Sequence, residues 1–424
     1  MAHTPLNRVT EGPTVDTGGR LHRTDDGWRL ANAFVSYELV LSGADDEKRR
    51  LEDGALVRAR GRRRDRSFVV DSVDVVHQPD IETPELAEGR NISLGEALRA
   101  RADINRQIRS FFDDRDFLEV ETRAWTEAPG TDPHLAPMRA DYCQDAGCER
   151  SRRGYLHTSP ELKMKRLLVH GAGPIYQLGR VWRNGEITDL HSPEFRLLEW
   201  YRPWQSVETI IDDTERLVGR ILDGGDRSVE PPIERMTMRE VVDGACGFDI
   251  LEALDVDSLR REIERRDLLS DRHLEAARWD ELFFSLTIEH LDPYLSKQGA
   301  VFVTRWPKPL AILARSKADD PRVAARFELY IDGVELANGF GELTDPDEQR
   351  RRFVADNDAR RAIDHPVLPI PRAFVRALRY GLPPSAGVAL GVDRLLLLST
   401  DGADAIRDVA PFAPYRDIDG IHWP

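Results

Sequence analysis

Three glutamates, Glu328, Glu335 and Glu342, stand at equal steps of seven in the segment FELYIDGVELANGFGEL, residues 327–343. Equal steps of seven would stack carboxylates on one face of a helix, but the interior forbids a helix. Asp332-Gly333 is a turn signal flanked by β-formers, and Asn338-Gly339 followed by Gly341 breaks helical order. The segment reads as a hairpin with Asp332 and Gly333 at its tip, so that Ile331 faces Val334, Tyr330 faces Glu335 and Glu328 faces Ala337. Glu328 and Glu335 then share a face as diagonal neighbours, roughly 7–8 Å apart at the backbone. Two such carboxylates can converge on magnesium carried by a phosphate substrate. A solvated sheet face with incidental acids would look the same on this segment alone, so the rest of the chain has to decide.

Three further blocks combine arginine, acids and aromatic residues. In LHTSPELKMKRLL, residues 156–168, Thr158, Ser159 and Pro160 precede an amphipathic helix with Glu161 in its first turn; alone, that pattern is an ordinary helix N-terminus. QLGRVWRNGEITDLHSPEFRLLEWYRPW, residues 177–204, reads as strand, loop, strand. Arg183 falls at the first strand's end, facing a polar loop with His191, and Phe195, Glu199 and Tyr201 alternate along the return strand. The planar fork of arginine suits phosphate or carboxylate. In SAGVALGVDRLLLL, residues 385–398, a glycine-lined strand on which a planar base could lie passes into a helix carrying Arg394.

These blocks must be positioned by a sizeable fold. The chain has 424 residues, 41% of them hydrophobic, enough for a large catalytic domain and a small accessory one. It has no apolar run of about 18 residues and no apolar signal core at its start, so a cytoplasmic protein without a membrane partner is expected. The cysteines, Cys143, Cys148 and Cys246, are too few for a disulfide framework, and reduced thiols are expected. A net charge of −15 argues against nucleic-acid binding over the whole surface. The run RARGRRRDR, residues 58–66, holds six arginines and reads equally as a charge-protected strand or a partner-binding patch. Short β-like runs at regular spacing before residue 80 predict a small β-barrel of the oligonucleotide-binding type over 1–80, followed by a linker over 81–91 and a catalytic domain over 92–424. In that domain an apolar helical period through Ile104, Ile108, Phe111 and Phe112 leads into a strand at FLEVET, residues 117–122.

In order and spacing these blocks resemble the class II aminoacyl-tRNA synthetase catalytic domain, in its lysine branch. HTSPELKMKRLLVHGAGPIYQLGRVWRN, HSPEFRLLEWYRP, RFELYIDGVELANGFGELTD and SAGVALGVDRL are most similar to the elongation factor P lysine ligase family. The resemblance implies an α+β fold, an antiparallel sheet with flanking helices, here preceded by the small OB-like β-barrel. It implies adenylation of lysine or (R)-β-lysine by ATP with Mg2+, transfer to a lysine side chain of elongation factor P, and a homodimer. Arg183 would hold the substrate carboxylate and the α-phosphate, and Arg394 would cover adenine and touch the γ-phosphate; these two are the catalytic residues. Asn184, Glu186, His191, Ser192, Phe195, Glu335, Leu336 and Gly391 would complete the ATP site, with Phe195 stacking on the base. Glu328 and Glu335 would hold magnesium. Glu161 would take the α-amino group and Glu342 with Tyr201 the distal ammonium, while Ser159, Pro160, Asn338 and Ala389 would line the substrate.

Several positions depart from the family pattern: Arg123 where proline is usual, Gly185 where an acid is usual with Glu186 next to it, Ser192 for asparagine, Arg196 for threonine, and Gly341 for a larger residue. Two other readings follow. The barrel suggests a lysyl-tRNA synthetase acting on tRNA, although its few aromatics (Trp28, Phe34, Tyr37, Phe68) and the alanine at 389 favour the ligase. Gly185 and Arg196 suggest a catalytically silent lysine-binding paralogue.

Overall fold

The computed structural model describes residues 3–41, 51–79, 92–225, 227–270, 274, 278–417 and 420–422, with side chains to residue 414. The expected linker, 81–91, lies outside the described residues. The chain forms two compact units, residues 1–101 with 407–412 and residues 102–406 with 413–423.

In the first unit, strands β1 (Thr14–Thr24), β2 (Gly27–Ala31), β3 (Ser36–Leu41), β4 (Leu56–Arg64) and β5 (Ser67–His77) close a barrel in the order β1-β2-β3-β5-β4. The closing pair β3 and β5 is parallel and the others are antiparallel. This is the OB-like barrel that the spacing of short strands predicts. Alternation decides what the arginine run becomes. On β4, Val57 and Ala59 point into the core with Leu21, Leu30 and Phe68, which leaves Arg58, Arg60, Arg62 and Arg64 on the outer face.

The second unit is built on one eight-stranded sheet. Its strands are β6 (Leu118–Glu119), β7 (Ile175–Trp182), β8 (Glu194–Pro203), β9 (Glu234–Thr237), β10 (Ala300–Thr304), β11 (Arg326–Ile331), β12 (Val334–Gly341) and β13 (Ser385–Gly391), in the spatial order β9-β10-β11-β12-β13-β8-β7-β6. The central strands are antiparallel, and only the edge pairs β6/β7 and β9/β10 are parallel. The longer helices are α1 (Leu94–Asp113), which enters this unit at residue 102, α2 (Glu161–Val169), α3 (Val207–Leu222), α4 (Met238–Cys246), α5 (Val256–Arg266), α6 (Trp279–Leu286), α7 (Pro346–Ala362), α8 (Arg372–Gly381) and α9 (Val392–Leu398). The apolar period of α1 buries Ile104, Ile108, Phe111 and Phe112, and Phe112 stacks on Tyr176 of β7 at 4.4 Å between ring centres. Helices α4 to α6, between β9 and β10, have their own core around Val241, Leu259, Leu282 and Phe283.

Three expectations change. The strand expected over 117–122 pairs as a ladder only at Leu118–Glu119; beyond it Val120 N–H reaches Tyr176 O and Thr122 N–H takes the side chain of Gln177. Cys143 and Cys148 are joined as a disulfide rather than reduced. The turn between them, in which Cys148 N–H bonds to Asp145 O and the Asp145 carboxylate accepts from the N–H groups of Glu149 and Arg150, brings their Cα atoms to 4.8 Å. The 327–343 hairpin has the expected tip, with Ile331 opposite Val334 and Tyr330 opposite Glu335, but a β-bulge follows. Leu336 is the extra residue, so Leu329 pairs with Ala337 and Glu328 with Asn338, not with Ala337.

Candidate active site

One lateral row of the sheet carries much of the site. Glu199 of β8 pairs with Ala389 of β13, Ala389 with Asn338 of β12, and Asn338 with Glu328 of β11. Side chains in one row share a face, so strands distant in sequence place a buried acid at each end of a short polar ledge. On the neighbouring row Tyr201 pairs with Gly387. Gly387 is needed there, because a Cβ would stand 2.2 Å from Tyr201 Cδ1 and 2.9 Å from Glu342 Oε1.

Above the ledge opens a cavity of about 1060 Å³ whose wall includes Ser159, Glu161, His191, Glu328, Glu335, Asn338 and Arg394. Tyr201 and Glu342 are buried, and Lys165 ties Glu342 to Glu161. Helix α2 carries Glu161 in the cavity wall. Pro160 occupies the cap position, and the Ser159 hydroxyl accepts from Glu161 N–H at 3.0 Å while donating to Glu199 Oε1 at 2.6 Å. Ser159 is therefore part of the site as well as of the helix start. The Tyr201 hydroxyl donates to Glu199 Oε2 at 3.0 Å. Burial, with the charge of Glu161 adding to it, pushes the Glu199 carboxyl up to about 8. Burial likewise raises Glu342, against the pull of Lys165.

At the other end of the row Glu328 is fully buried and held by Arg326, by the Tyr330 hydroxyl at 2.6 Å and by Asn338 Nδ2 at 3.0 Å. Burial raises its pKa, Arg326 opposes that, and the charge of Glu335 adds to it. Two carboxylates that repel across a half-open face form a site that a divalent cation would relieve. Among the described residues no group of three or more His, Cys, Asp or Glu is placed to hold a metal, so this pair supplies only part of an oxygen shell.

The arginines gather on the same side. Arg394 donates to Glu335 O at 2.6 Å and to His191 Nε2 at 2.6 Å. With Nε2 accepting, the ring proton of His191 sits on Nδ1, facing Thr188 Oγ1 at 2.8 Å. Burial, and then the charge of Arg394, pull His191 down to about 4. The Arg183 guanidinium lies 5.0 Å from the centre of the Phe195 ring, and its buried Nε has no hydrogen-bond partner. Gly185 adopts φ 85°, which turns the loop after β7. Glu186, next in the chain, is raised by burial and lowered by the charges of Arg183 and Arg394.

Other predicted residues are placed less directly. Asn184 is exposed and bonds through its N–H to Ala136 O at 2.7 Å. Leu336 is buried at the bulge, and Ser192 and Pro160 are buried as well. Gly391 caps α9. Arg196, one of the departures, bonds to Asn105 of α1 at 2.9 Å and so supports the sheet's packing. Sequence reasoning gave no role to Lys165, Arg326 or Tyr330, and set Glu199 only on a strand. The usable signals were period-two alternation around Glu328, and a lysine four residues after Glu161 between the buried Met164 and Leu168.

A half-buried arginine pair beside a two-carboxylate ledge, on an antiparallel sheet with flanking helices, is the arrangement of a class II synthetase-type catalytic domain. Residues 83–416 match the family model described as tRNA synthetases class II (D, K and N). Over 319 residues the chain is 41% identical to the elongation factor P–(R)-β-lysine ligases of Proteus mirabilis and Salmonella gallinarum, covering 75% of this chain and 95% of each relative. It is 42% identical to the Yersinia enterocolitica ligase over 315 residues, 74% of this chain and 94% of that one. The chain belongs to the class II tRNA synthetase family, in the branch of the elongation factor P–(R)-β-lysine ligases.

Proposed function

We propose that the protein activates lysine or (R)-β-lysine with ATP as the aminoacyl adenylate and transfers it to a lysine side chain of elongation factor P. The observation that carries this reading is Glu342, a fully buried carboxylate joined through Lys165 to Glu161 of the cavity wall, with Tyr201 close enough to feel both acids. Buried acids with spare acceptor capacity call for a cationic ligand, and lysine carries two ammonium groups. Glu161 takes the amine nearer the carboxylate, and Glu342 with Tyr201 takes the distal one. Arg183, whose buried Nε is unpartnered, binds the substrate carboxylate and the α-phosphate. It stabilises the charge that builds as the carboxylate attacks phosphorus and pyrophosphate leaves. Arg394, oriented by His191, binds the outer phosphates, and Phe195 stacks on adenine. In the second step the acceptor amine attacks the activated carbonyl, loses a proton and releases AMP; alignment supplies most of the acceleration.

Glu328 and Glu335 fit magnesium as hard oxygen ligands, the remaining positions being left to phosphate and water. When bound, the ion would neutralise charge on the phosphates. The barrel over 1–80 is an accessory domain joined through 81–91 to the catalytic domain over 92–424, and the protein works in the cytoplasm as a homodimer. Among the described residues no helix is long and apolar enough to cross a membrane.

The test offers purified protein, ATP and labelled lysine or (R)-β-lysine to either elongation factor P or bulk tRNA. Label on elongation factor P is expected. Label on tRNA alone would support the lysyl-tRNA synthetase reading instead, and absence of pyrophosphate exchange with either isomer would leave a silent lysine-binding protein.

A further inference from the structure

Lys165 has no part in the roles above. Its side chain is 1% exposed, and its ammonium ion-pairs with both Glu161, one helical turn earlier, and Glu342, just beyond β12. It lies 6.0 Å from the centre of the Tyr201 ring. The charged and titratable groups around it are Glu161 on its own helix, Glu199 and Tyr201 from β8, and Glu342, which also feels the charge of Arg315. Glu342 Oε1 accepts no hydrogen bond. A purely structural lysine needs one partner, whereas this one bridges the two acids that the lysine-activation reading gives to two different substrate ammonium groups.

We infer that Lys165 is a positioning residue that sets substrate specificity: its ammonium fixes Glu161 and Glu342 relative to one another and cancels one of their charges. The inference rests on the lysine-activation reading. Two carboxylates against one ammonium leave the pocket one negative charge, which a diamino monocarboxylic acid, net positive by one, balances. An amino acid with an uncharged side chain leaves that charge buried and unpaired, which is costly. Burial raises Glu199, which has no cation bonded to it and is left outside this count; it raises Glu342 too, but there the Lys165 ammonium opposes it. For Lys165 itself burial favours the neutral form, but the charges and hydrogen bonds of Glu161 and Glu342 outweigh it and hold the ammonium above its ordinary pKa. Without Lys165 one carboxylate takes up a proton, and substrate binding becomes coupled to its release.

The experiment compares wild type, Lys165→Met and Lys165→Arg in lysine-dependent pyrophosphate exchange and in lysine-binding calorimetry, in buffers of different ionisation enthalpy. For Lys165→Met the lysine KM rises about tenfold or more while the ATP KM stays within about twofold. Lysine binding by that variant tightens more steeply with rising pH and releases more protons than in the wild type, so its heat depends more strongly on the buffer. Lys165→Arg restores most of the affinity. If Lys165→Met does not fold, Lys165→Gln, which keeps hydrogen bonding without the charge, gives the same readout. If neither folds, Lys165→Arg decides, because it keeps the charge but alters the spacing of the two acids: a lysine KM raised more than the ATP KM supports the proposal, and equal changes overturn it. A folded uncharged variant with unchanged lysine KM and no added proton release overturns the inference. Absence of lysine-dependent exchange in the wild type would instead overturn the lysine-activation reading.

Discussion

Asn338 on β12 donates to Glu328 on β11 at 3.0 Å, directly across the ladder. The two meet because Leu336 is one residue too many for an even pairing, and the bulge moves Asn338 into the place that Ala337 would otherwise take. The bond satisfies a carboxylate that is only 3% exposed and lines up the row that runs through Ala389 to Glu199. Asn338→Ala should cost about 1–3 kcal/mol of stability. It should also lower kcat/KM for pyrophosphate exchange by about tenfold or more. A thermal melt and an exchange assay read the two; a variant normal in both would mean that Arg326 and Tyr330 hold Glu328 unaided.

That hairpin marks the limit of what the sequence discloses. Asp332-Gly333 gives the turn, and period two gives the shared face of Glu328, Tyr330 and Glu335, because both are local properties of the backbone. The bulge at Leu336 carries no turn or alternation signal within 327–343, so it appears only in the observed register. The barrel and the central sheet were likewise legible from strand spacing and from motif order. Lys165 was not, because its value as a cation arises only where α2 meets the end of β12, some 170 residues later in the chain. The Cys143–Cys148 pairing depends in the same way on a turn built by Asp145.

Gly387 lets Tyr201 and Glu342 approach the same stretch of β13. A methyl group there would lie 2.2 Å from Tyr201 Cδ1, and the ring cannot retreat because Tyr201 is only 3% exposed. Gly387→Ala should therefore destabilise the protein by about 1–3 kcal/mol through overpacking. Lysine KM should rise more than ATP KM, since the displaced groups are the amino-acid acids. Equal changes in both constants would show that the strain spreads along β13 to the arginine side.

His191 orients Arg394 through its unprotonated Nε2. His191→Phe keeps the bulk and removes the acceptor, so ATP KM should rise about tenfold while lysine KM stays within about twofold. The imidazole also links stability to pH. Its folded pKa of about 4 lies below the ordinary 6.5, so its contribution is present above pH 6.5 and is lost as pH falls from 6.5 toward 4. Buried His157, drawn down to about 4 mainly by burial, acts in the same direction. Melting temperatures across that window should fall less steeply in His191→Phe than in the wild type, and an unchanged slope would assign the effect to other groups.

Glu199 has the opposite linkage. Its folded pKa of about 8 lies above the ordinary 4.5, so the folded state holds a proton that the unfolded state releases between those values. The contribution is complete below pH 4.5 and is lost as pH rises toward 8. Glu199→Gln stays neutral and can bond to the same Ser159 and Tyr201 hydroxyls. Relative to the wild type the variant should gain stability as pH rises from 5 to 8, by an amount on the order of 1 kcal/mol or more. If the difference instead grows in the wild type's favour toward pH 8, Glu199 is ionised in the folded protein. The pocket would then carry a second net negative charge, one more than a single lysine balances.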